Sequence, residues 1–151
     1  MSKLFIQNFD YLSLGVSIPI TLNDLLMMNS SFIDIYAPKI SNRDLNIFMR
    51  YWMNNTTSKL ECLDLDYGVP IDRELEEFIR LDEKIIFNGI PYIEQPKDLK
   101  RDFTLSVDFD PIYQNGLLLI EGGFDVTRRD GTTATITIDY NHPYFRMLIW
   151  P

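Results

Sequence analysis

The sequence predicts an α/β fold in which βα units with parallel strands precede an antiparallel β section that ends in a hairpin. Two short apolar alternations, centred on Ile33 and Leu63, predict strands that lie roughly 30 positions apart, about the length of one solenoid repeat. The interval between them carries apolar residues at helical spacing and so supplies the crossover helix that parallel strands require. From Phe103 onward the apolar period is two, which indicates strands. The first part is therefore predicted to be leucine-rich-repeat-like.

Two helix starts share one cap pattern. Thr21 and Ser41 are each followed three positions later by an aspartate, as in a capping box. The second helix, predicted over about 41–55, is amphipathic. Its apolar stripe consists of Leu45, Phe48, Met49 and Trp52, and its polar face of Asn42, Arg43, Asn46 and Arg50.

The chain is predicted to form one domain over residues 1–151, with a repeat-like part at about 21–80 and a β-rich part at about 100–151. Residues 94–102 are polar, contain a proline, and predict a boundary loop between the two parts. The other predicted elements are strands at 4–9, 12–20, 32–36, 60–66, 117–120 and 144–150, a helix at 71–79, and a strand with a loop at 84–92.

Residues 124–140 predict a hairpin whose register follows from the apolar pattern. A two-residue turn would place apolar residues opposite polar ones throughout. A three-residue loop, 129–131, instead places Val126 opposite Ala134 and keeps the apolar residues on one face. The sequence therefore predicts a type I turn followed by a bulge, with Gly131 in the left-handed region.

Charge and cysteine content restrict the classes of partner. The net charge of −8 argues against nucleic acid and against an anionic membrane surface, because both require a basic footprint. The single cysteine, Cys62, cannot form an internal disulfide and fits a reducing compartment. The N-terminus has no secretory pattern, and no apolar run is long enough for a membrane span. We therefore expect a cytoplasmic or nuclear location.

The sequence contains no recognisable catalytic or cofactor motif. It lacks a glycine-rich dinucleotide motif, a P-loop, an H-E-x-x-H helix and a C-x-x-C pair. His142 is the only histidine, which excludes a metal cluster built on several imidazoles. Cys62 and His142 are a candidate nucleophile–base pair, but they lie in unrelated predicted elements. We therefore predict no catalytic residues, no cofactor, no metal and no enzymatic activity.

Asp34 and Asp64 are candidate partner-binding residues. Each lies between two apolar residues of its strand, and parallel strands in register would place the two carboxylates about 5 Å apart on one face. Tyr36 and Asp66 would continue this face. One interpretation is an acidic stripe that meets a basic partner, with carboxylate pKa values raised by like charge. The other is the solvated face of a repeat-like sheet. Two aspartates alone do not provide the six or more oxygens that Ca²⁺ requires.

Arg128 and Arg129, at the predicted hairpin tip, are two further candidates. They are suited to anchoring an acidic partner. The alternative is an ordinary solvated tip.

Two strings of the sequence carry a family resemblance. The first is an L-x-x-L-L segment, an isoleucine-rich strand, an S-x-x-D-L-N helix with a tryptophan, and then L-E-x-L-x-L. Its matching residues are Leu22, Leu25, Leu26, Ile33, Ile35, Ser41, Asp44, Leu45, Asn46, Trp52, Leu60, Glu61, Leu63 and Leu65. The second is a D-[IV]-x-R-x-D-G-T-x-A-T-I string at 125–136, followed by a strand at 147–150 that ends on an aromatic residue. In this order and spacing, the chain resembles the type 2 F-box-associated domain, known mainly from large nematode families.

The resemblance implies protein–protein recognition, as in the substrate-recruiting region of a ubiquitin-ligase adaptor. No F-box-like segment precedes the match, so contact with the ligase scaffold is expected only if an F-box is present in the full chain. Two alternatives stay open. One is a decoy or regulatory binding protein that lacks an F-box and occupies targets without degrading them. The other is a small hydrolase or transferase with an unrecognised site.

Overall fold

The computed structural model describes residues 9–15, 18–37, 39–68, 74, 77–105 and 117–151. The described residues form seven strands and three helices. In chain order these are β1 (Tyr11–Leu14), α1 (Leu22–Met27), β2 (Phe32–Tyr36), α2 (Asn42–Asn54), β3 (Cys62–Asp66), α3 (Glu83–Ile86), β4 (Ile93–Thr104), β5 (Leu117–Thr127), β6 (Thr133–Asp139) and β7 (Tyr144–Ile149). The strands form a single sheet in the order β1-β2-β3-β7-β6-β5-β4.

The sheet is parallel on one side and antiparallel on the other. β1, β2 and β3 run parallel, while every pair from β3–β7 to β5–β4 is antiparallel. The predicted sequence of parallel βα units followed by an antiparallel section is thus confirmed. The leucine-rich-repeat-like description is not confirmed. The last parallel strand, β3, is flanked by antiparallel β7, whereas a solenoid would place the parallel strand of a further repeat there.

Both predicted capping boxes are present. In α2, the amide of Asp44 donates to Ser41 Oγ at 3.1 Å, and the amide of Ser41 donates to Asp44 Oδ2 at 2.9 Å. Thr21 and Asp24 make the same reciprocal pair at the start of α1. Each box satisfies amides that a helix start leaves without partners, so both helices begin where the sequence predicts.

The apolar face of α2 packs on the sheet and forms the main core. All four residues of the predicted stripe are buried. They contact alternate residues of the central strands, among them Ile33, Ile35, Leu63, Leu65, Phe145 and Met147. Helix α2 is therefore the predicted crossover between β2 and β3.

The polar face of α2 holds the segment that follows β3. The Asn42 side chain accepts from the Asp82 amide at 3.0 Å and donates to the Arg80 carbonyl at 2.8 Å. One turn later, Asn46 Nδ2 donates to the carbonyl of Ile86 at 2.8 Å. These amides satisfy backbone groups at both ends of α3, which would otherwise lack partners. The docking of α3 thus depends on residues that appear in the sequence as an ordinary polar helix face.

Residues 84–86, predicted as part of a strand and loop at 84–92, instead lie in α3. The helix is capped by Asp82, whose side chain accepts from the Lys84 amide at 3.0 Å. This prediction was wrong because a four-residue helix is too short to show a helical period.

Residues 94–102, predicted as a boundary loop, lie inside β4. Proline has no backbone N–H to donate. The strand tolerates Pro96 because β4 lies at the edge of the sheet, where the missing N–H removes no hydrogen bond to a strand on the open side. Its register against β5 also shifts between Gln95 and Lys100. The prediction was wrong because the residues of an edge strand are exposed to solvent, as loop residues are, and can have the same polar composition.

Some predicted elements fall outside the described residues. These include almost all of the strand at 4–9 and most of the helix at 71–79, and residues 77–79 of the latter are not helical. Strand β1 covers only the first part of the segment predicted at 12–20. Within the described part of the chain, every helix is too short or too polar to cross a membrane.

The predicted hairpin register is confirmed. Val126 lies opposite Ala134 and Phe124 opposite Ile136. The Arg128 amide donates to the Thr132 carbonyl at 2.7 Å, which leaves a three-residue loop. Gly131 has a φ of 90°, in the left-handed region.

Replacement of Gly131 by alanine is expected to lower the free energy of unfolding by about 1 kcal/mol, because a Cβ is disfavoured at positive φ. No heavy atom lies within 4 Å of the added Cβ, so the loss comes from backbone strain alone. Urea denaturation of the wild type and of Gly131→Ala measures the difference. An unchanged midpoint would show that the turn relaxes without cost.

Candidate functional site

The face of the sheet opposite α2 carries an apolar cluster beside two polar networks. The apolar cluster consists of Phe32, Cys62, Phe103, Leu118, Ile120 and Leu148. Because side chains alternate between the two faces of a strand, the next rows on this face follow from the register. They are Asp34, Asp64 and Arg146, and then Tyr36, Asp66 and Tyr144.

The predicted alignment of Asp34 with Asp64 is confirmed. The two residues lie opposite each other in the parallel pair, and Tyr36 lies opposite Asp66. Asp64, however, is only 2% exposed. A carboxylate this deeply buried requires a counter-charge, so the acidic stripe is not simply an open surface.

Arg146 supplies that counter-charge. Its Nε donates to Asp64 Oδ1 at 2.7 Å and its Nη2 donates to Oδ2 at 3.1 Å, which is the two-pronged geometry that arginine and carboxylate favour. The two residues meet because β7 pairs with β3 in a register that places Arg146 opposite Asp64. Sequence reasoning missed Arg146. The one available signal was its position between two core residues of β7, Phe145 and Met147, which places it on the opposite face.

Tyr144 extends this network toward the end of the sheet. Arg146 Nη2 donates to its hydroxyl at 3.3 Å, and the Arg146 guanidinium carbon lies 5.3 Å from its ring centroid. Burial and the nearby charge of Asp64 raise the pKa of Tyr144 above its ordinary value. Its hydroxyl is therefore protonated at physiological pH.

An aromatic groove, of about 650 Å³, lies where β2 and β3 end and β7 begins. Its lining residues are Tyr36, Asp66, Gly68, Phe78, Asn141, His142, Pro143 and Tyr144. Parallel strands bring their carboxyl ends to one edge, and the space outside those ends is a common ligand site in α/β sheets. The volume also lies within the range of roughly 300–1,000 Å³ that is usual for ligand sites.

One carboxylate, that of Asp66, lines the aromatic groove, and a second, that of Asp139, lies beside it. Asp66 Oδ1 accepts from the Gly68 amide at 2.7 Å, which holds this carboxylate in the lining. Asp139 lies opposite Tyr144, and its Oδ1 accepts from the Asn141 amide at 2.9 Å, which orders the turn before β7. The groove thus combines aromatic walls with negative charge.

The nucleophile–base pair considered from the sequence is separated in the fold. Cys62 is buried at the opposite end of β3 from the aromatic groove, four positions before Asp66, or about 13 Å along the strand. His142 lines the groove itself. Burial raises the pKa of the Cys62 thiol well above its usual value, which opposes thiolate formation. The described residues also include no group of three or more side chains placed to hold a metal ion.

Arg128 and Arg129, the two candidates at the hairpin tip, lie in different environments. Arg128 is 9% exposed, pairs with Asp130 at 2.8 Å, and lies 5.2 Å from the Trp52 ring centroid. Hydrogen bonds from Arg128 and Thr132 lower the pKa of Asp130. Arg129 is exposed, and its amide donates to the Met53 carbonyl at 2.9 Å. Arg128 therefore ties the hairpin to α2, and Arg129 is the member of the pair that reaches solvent.

A second polar network on this face was missed by sequence reasoning. Asp125 accepts from Arg101 Nη1 and Nη2 at 2.9 and 3.1 Å, from Thr135 Oγ1 at 2.6 Å and from Gln95 Nε2 at 2.9 Å. Thr135 in turn accepts from Trp150 Nε1 at 2.8 Å. The network joins β4, β5 and β6 to Trp150, which directly follows β7, and no short sequence pattern connects its members.

The Asp125 network is expected to make folding sensitive to acid. Burial alone would raise the pKa of Asp125, but the hydrogen bonds from Arg101, Thr135 and Gln95 outweigh it and lower the pKa. The stabilisation is therefore complete above the unfolded-state pKa, near 4, and is lost as pH falls through the lower folded-state value. We expect Asp125→Asn to remove about 1–2 kcal/mol at pH 7 and to flatten the fall in stability below pH 4.

Urea denaturation at pH 7, 4 and 3 tests this expectation. Asp98→Asn, on the exposed part of β4, is the matched control and should retain the wild-type pH dependence. Equal pH slopes for Asp125→Asn and the wild type would show that the network carries no acid sensitivity.

The fold and the groove together define a small mixed α/β domain with a polar, aromatic-lined surface opposite its helices. Residues 1–65 match the family described as F-box associated. Over 146 residues, or 95% of this chain, the sequence is 29% identical to the F-box associated domain-containing protein sdz-33 of Caenorhabditis elegans. The chain spans 40% of the length of that relative. No solved structure matches the chain.

These two similarities confirm the resemblance to the F-box-associated domain seen in the sequence. The family match covers β1 through most of β3, including α1 and α2, the two helices that begin with a capping box. The relative extends the similarity across the antiparallel part of the sheet.

Proposed function

We propose that this chain is a protein-recognition domain that binds its partner at the aromatic groove. In a protein that also carries an F-box, the domain would deliver the bound partner to ubiquitination. The observation that carries the proposal is the groove itself, in which Tyr36, Phe78 and Tyr144 line a space beside the Asp66 carboxylate. The family similarity supports a role in protein interaction.

The composition of the groove suits a protein partner. Aromatic residues are enriched at the centres of protein interfaces, where they provide large contact areas at low cost in side-chain entropy. Phe78 is 46% exposed, so it has contact area still to bury. The turn that orders residues 140–143 and the pairing of Arg146 with Asp64 hold the groove in place before a partner arrives, which lowers the cost of binding.

We further propose that the domain is not an enzyme and acts inside the cell. The separation of Cys62 from His142 supports the first statement, since a nucleophile requires a base within hydrogen-bond reach. Location in the cytoplasm or nucleus remains a prediction from the single cysteine.

Paired variants test whether the groove is the binding site. Tagged wild type, Tyr36→Ala and Phe78→Ala are used for quantitative affinity purification from cells. Tyr51→Ala is the matched control, because Tyr51 is also 46% exposed but lies on α2, across the sheet. We expect one set of proteins to be lost with both groove variants and retained with Tyr51→Ala. If all four baits retain the same proteins at the same level, the groove is not the binding site.

Thermal unfolding of each variant separates lost binding from lost folding. Phe78→Ala is the safer of the two groove variants because its ring is half exposed.

The same purification addresses the ligase context. Recovery of the ligase's adaptor with the full-length protein supports delivery to ubiquitination, whereas groove-dependent partners without that adaptor indicate a binding role alone.

A further inference from the structure

We infer that the aromatic groove receives the cationic side chain of a lysine or arginine presented by a protein partner. The inference rests on the proposed function and specifies the chemistry of the partner at the same site. The groove brings Tyr36 and Phe78 beside Asp66, so one space offers aromatic rings and a carboxylate.

The aromatic walls are suited to a cation. The face of a Tyr or Phe ring is negative, and a Lys or Arg group within about 6 Å of its centroid is attracted. Within the described part of the chain, this interaction occurs at Arg101–Trp150, Arg128–Trp52 and Arg146–Tyr144, with separations of 5.2 to 5.3 Å. Tyr144 already receives Arg146, so Tyr36 and Phe78 are the rings that an incoming side chain would contact.

The charge around the groove also favours a cation. Asp66 is in the lining, Asp139 lies opposite Tyr144, and Asp34 lies in the row behind Tyr36 and Asp66. The guanidinium of Arg146 is paired with Asp64, so its positive charge is balanced. Among the described residues that line the groove, none is Lys or Arg. An incoming cation therefore meets the Asp66 carboxylate with no basic side chain among the described lining residues, on a chain of net charge −8.

A lysine or arginine fits this space better than an anion or a purely apolar group. Its methylene stem can pack along the rings while the charged end reaches the carboxylate. An anionic group, such as a phosphorylated side chain, requires an arginine cluster, and Arg146 is already engaged. A purely apolar side chain would bury the Asp66 carboxylate without a counter-charge, which is unfavourable.

Titration with small probes tests the inference directly. Amide resonances of the ¹⁵N-labelled full chain are followed during addition of Nα-acetyl-lysine methylamide or Nα-acetyl-arginine methylamide. Nα-acetyl-norleucine methylamide has a similar stem without charge, and Nα-acetyl-glutamate methylamide has the opposite charge. We expect saturable shifts at Gly68, Asn141 and Tyr144 with the two basic probes, and affinity at least about fivefold lower for norleucine.

Variants assign the response to the groove. Asp66→Asn keeps an oxygen that can accept the Gly68 amide, so the loop stays ordered while the charge is removed. We expect Asp66→Asn and Phe78→Ala each to weaken the basic probes by about fivefold to tenfold, and Tyr51→Ala to leave them unchanged. Equal responses to lysine and norleucine probes, or shifts that persist unchanged in both groove variants, would overturn the inference.

The titration does not depend on a protein partner, so its failure is distinct from failure of the proposed function. If partner capture depends on the groove but the basic probes do not bind, the proposed function stands and the cationic occupant is wrong. If the basic probes bind but no protein depends on the groove, the groove recognises cations and the proposed protein partner is wrong.

Discussion

Replacing Arg146 with alanine is expected to lower the free energy of unfolding by about 3–5 kcal/mol. The substitution leaves the Asp64 carboxylate, which is 2% exposed, without the guanidinium that donates to both of its oxygens. An uncompensated charge at this depth costs far more than the loss of an exposed ion pair. Urea denaturation at pH 7 measures the effect.

Two further variants separate the charge from the packing. Arg129→Ala, on the exposed hairpin tip, should change stability by no more than about 0.5 kcal/mol. The double substitution Asp64→Leu with Arg146→Met removes both charges and should recover most of the loss, because a buried ion pair can often be exchanged for apolar residues at little cost. A loss below about 1 kcal/mol in Arg146→Ala would show that water replaces the guanidinium at Asp64.

Gly123→Ala is expected to be the second large destabilisation, at about 2–5 kcal/mol. Gly123 has a φ of 99°, where an L side chain is strained by about 1–2 kcal/mol. An added Cβ would also lie 2.6 Å from Thr135 Cγ2 and 3.0 Å from the Ile136 carbonyl oxygen. Thr135 is fully buried and holds Asp125 and Trp150, so it cannot move aside without breaking that network. Overpacking of this kind adds about 1–3 kcal/mol.

Gly131→Ala is the matched control for this prediction, since its φ is 90° and its Cβ would meet open space. The excess cost of Gly123→Ala over Gly131→Ala therefore measures the steric clash. In a Thr135→Ser background, which removes the methyl group and keeps the hydroxyl, we expect Gly123→Ala to cost at least about 1 kcal/mol less. Equal losses for the two glycine variants would show that the sheet relaxes around Gly123.

Relations between close neighbours were predictable from the sequence. The caps at Thr21 and Ser41 depend on a residue three positions away, and the hairpin register depends on residues within about ten positions of one another. The alignment of Asp34 with Asp64 was also predictable, because the apolar residues on either side of each aspartate must reach the same core. The caps and the hairpin register depend on residues that are close together in the chain. The alignment of Asp34 with Asp64 depends on an apolar pattern that repeats from one strand to the next.

Only part of the candidate site was predictable, because the residues that complete it come from distant parts of the chain. Tyr36 and Asp66 were identified, but Arg146 and Tyr144 reach them only because β7 returns to lie beside β3. Arg128 was identified as a possible anchor, although the fold stacks it on Trp52 and leaves Arg129 exposed. A single sequence contains no signal that relates residues 82 positions apart such as Asp64 and Arg146.

The two faces of the sheet differ in how much of them local sequence patterns predict. Periodicity predicts the burial of the apolar stripe of α2 and of the alternating strand residues. The hydrophobic effect favours burial of these residues whichever element covers them. The groove, the ion pair of Asp64 and the docking of α3 on Asn42 and Asn46 arise only when β7 and the segment after β3 reach their final neighbours. Polar contacts are directional and pairwise, so their partners are set by strand order and register, which the periodicity of the chain does not specify.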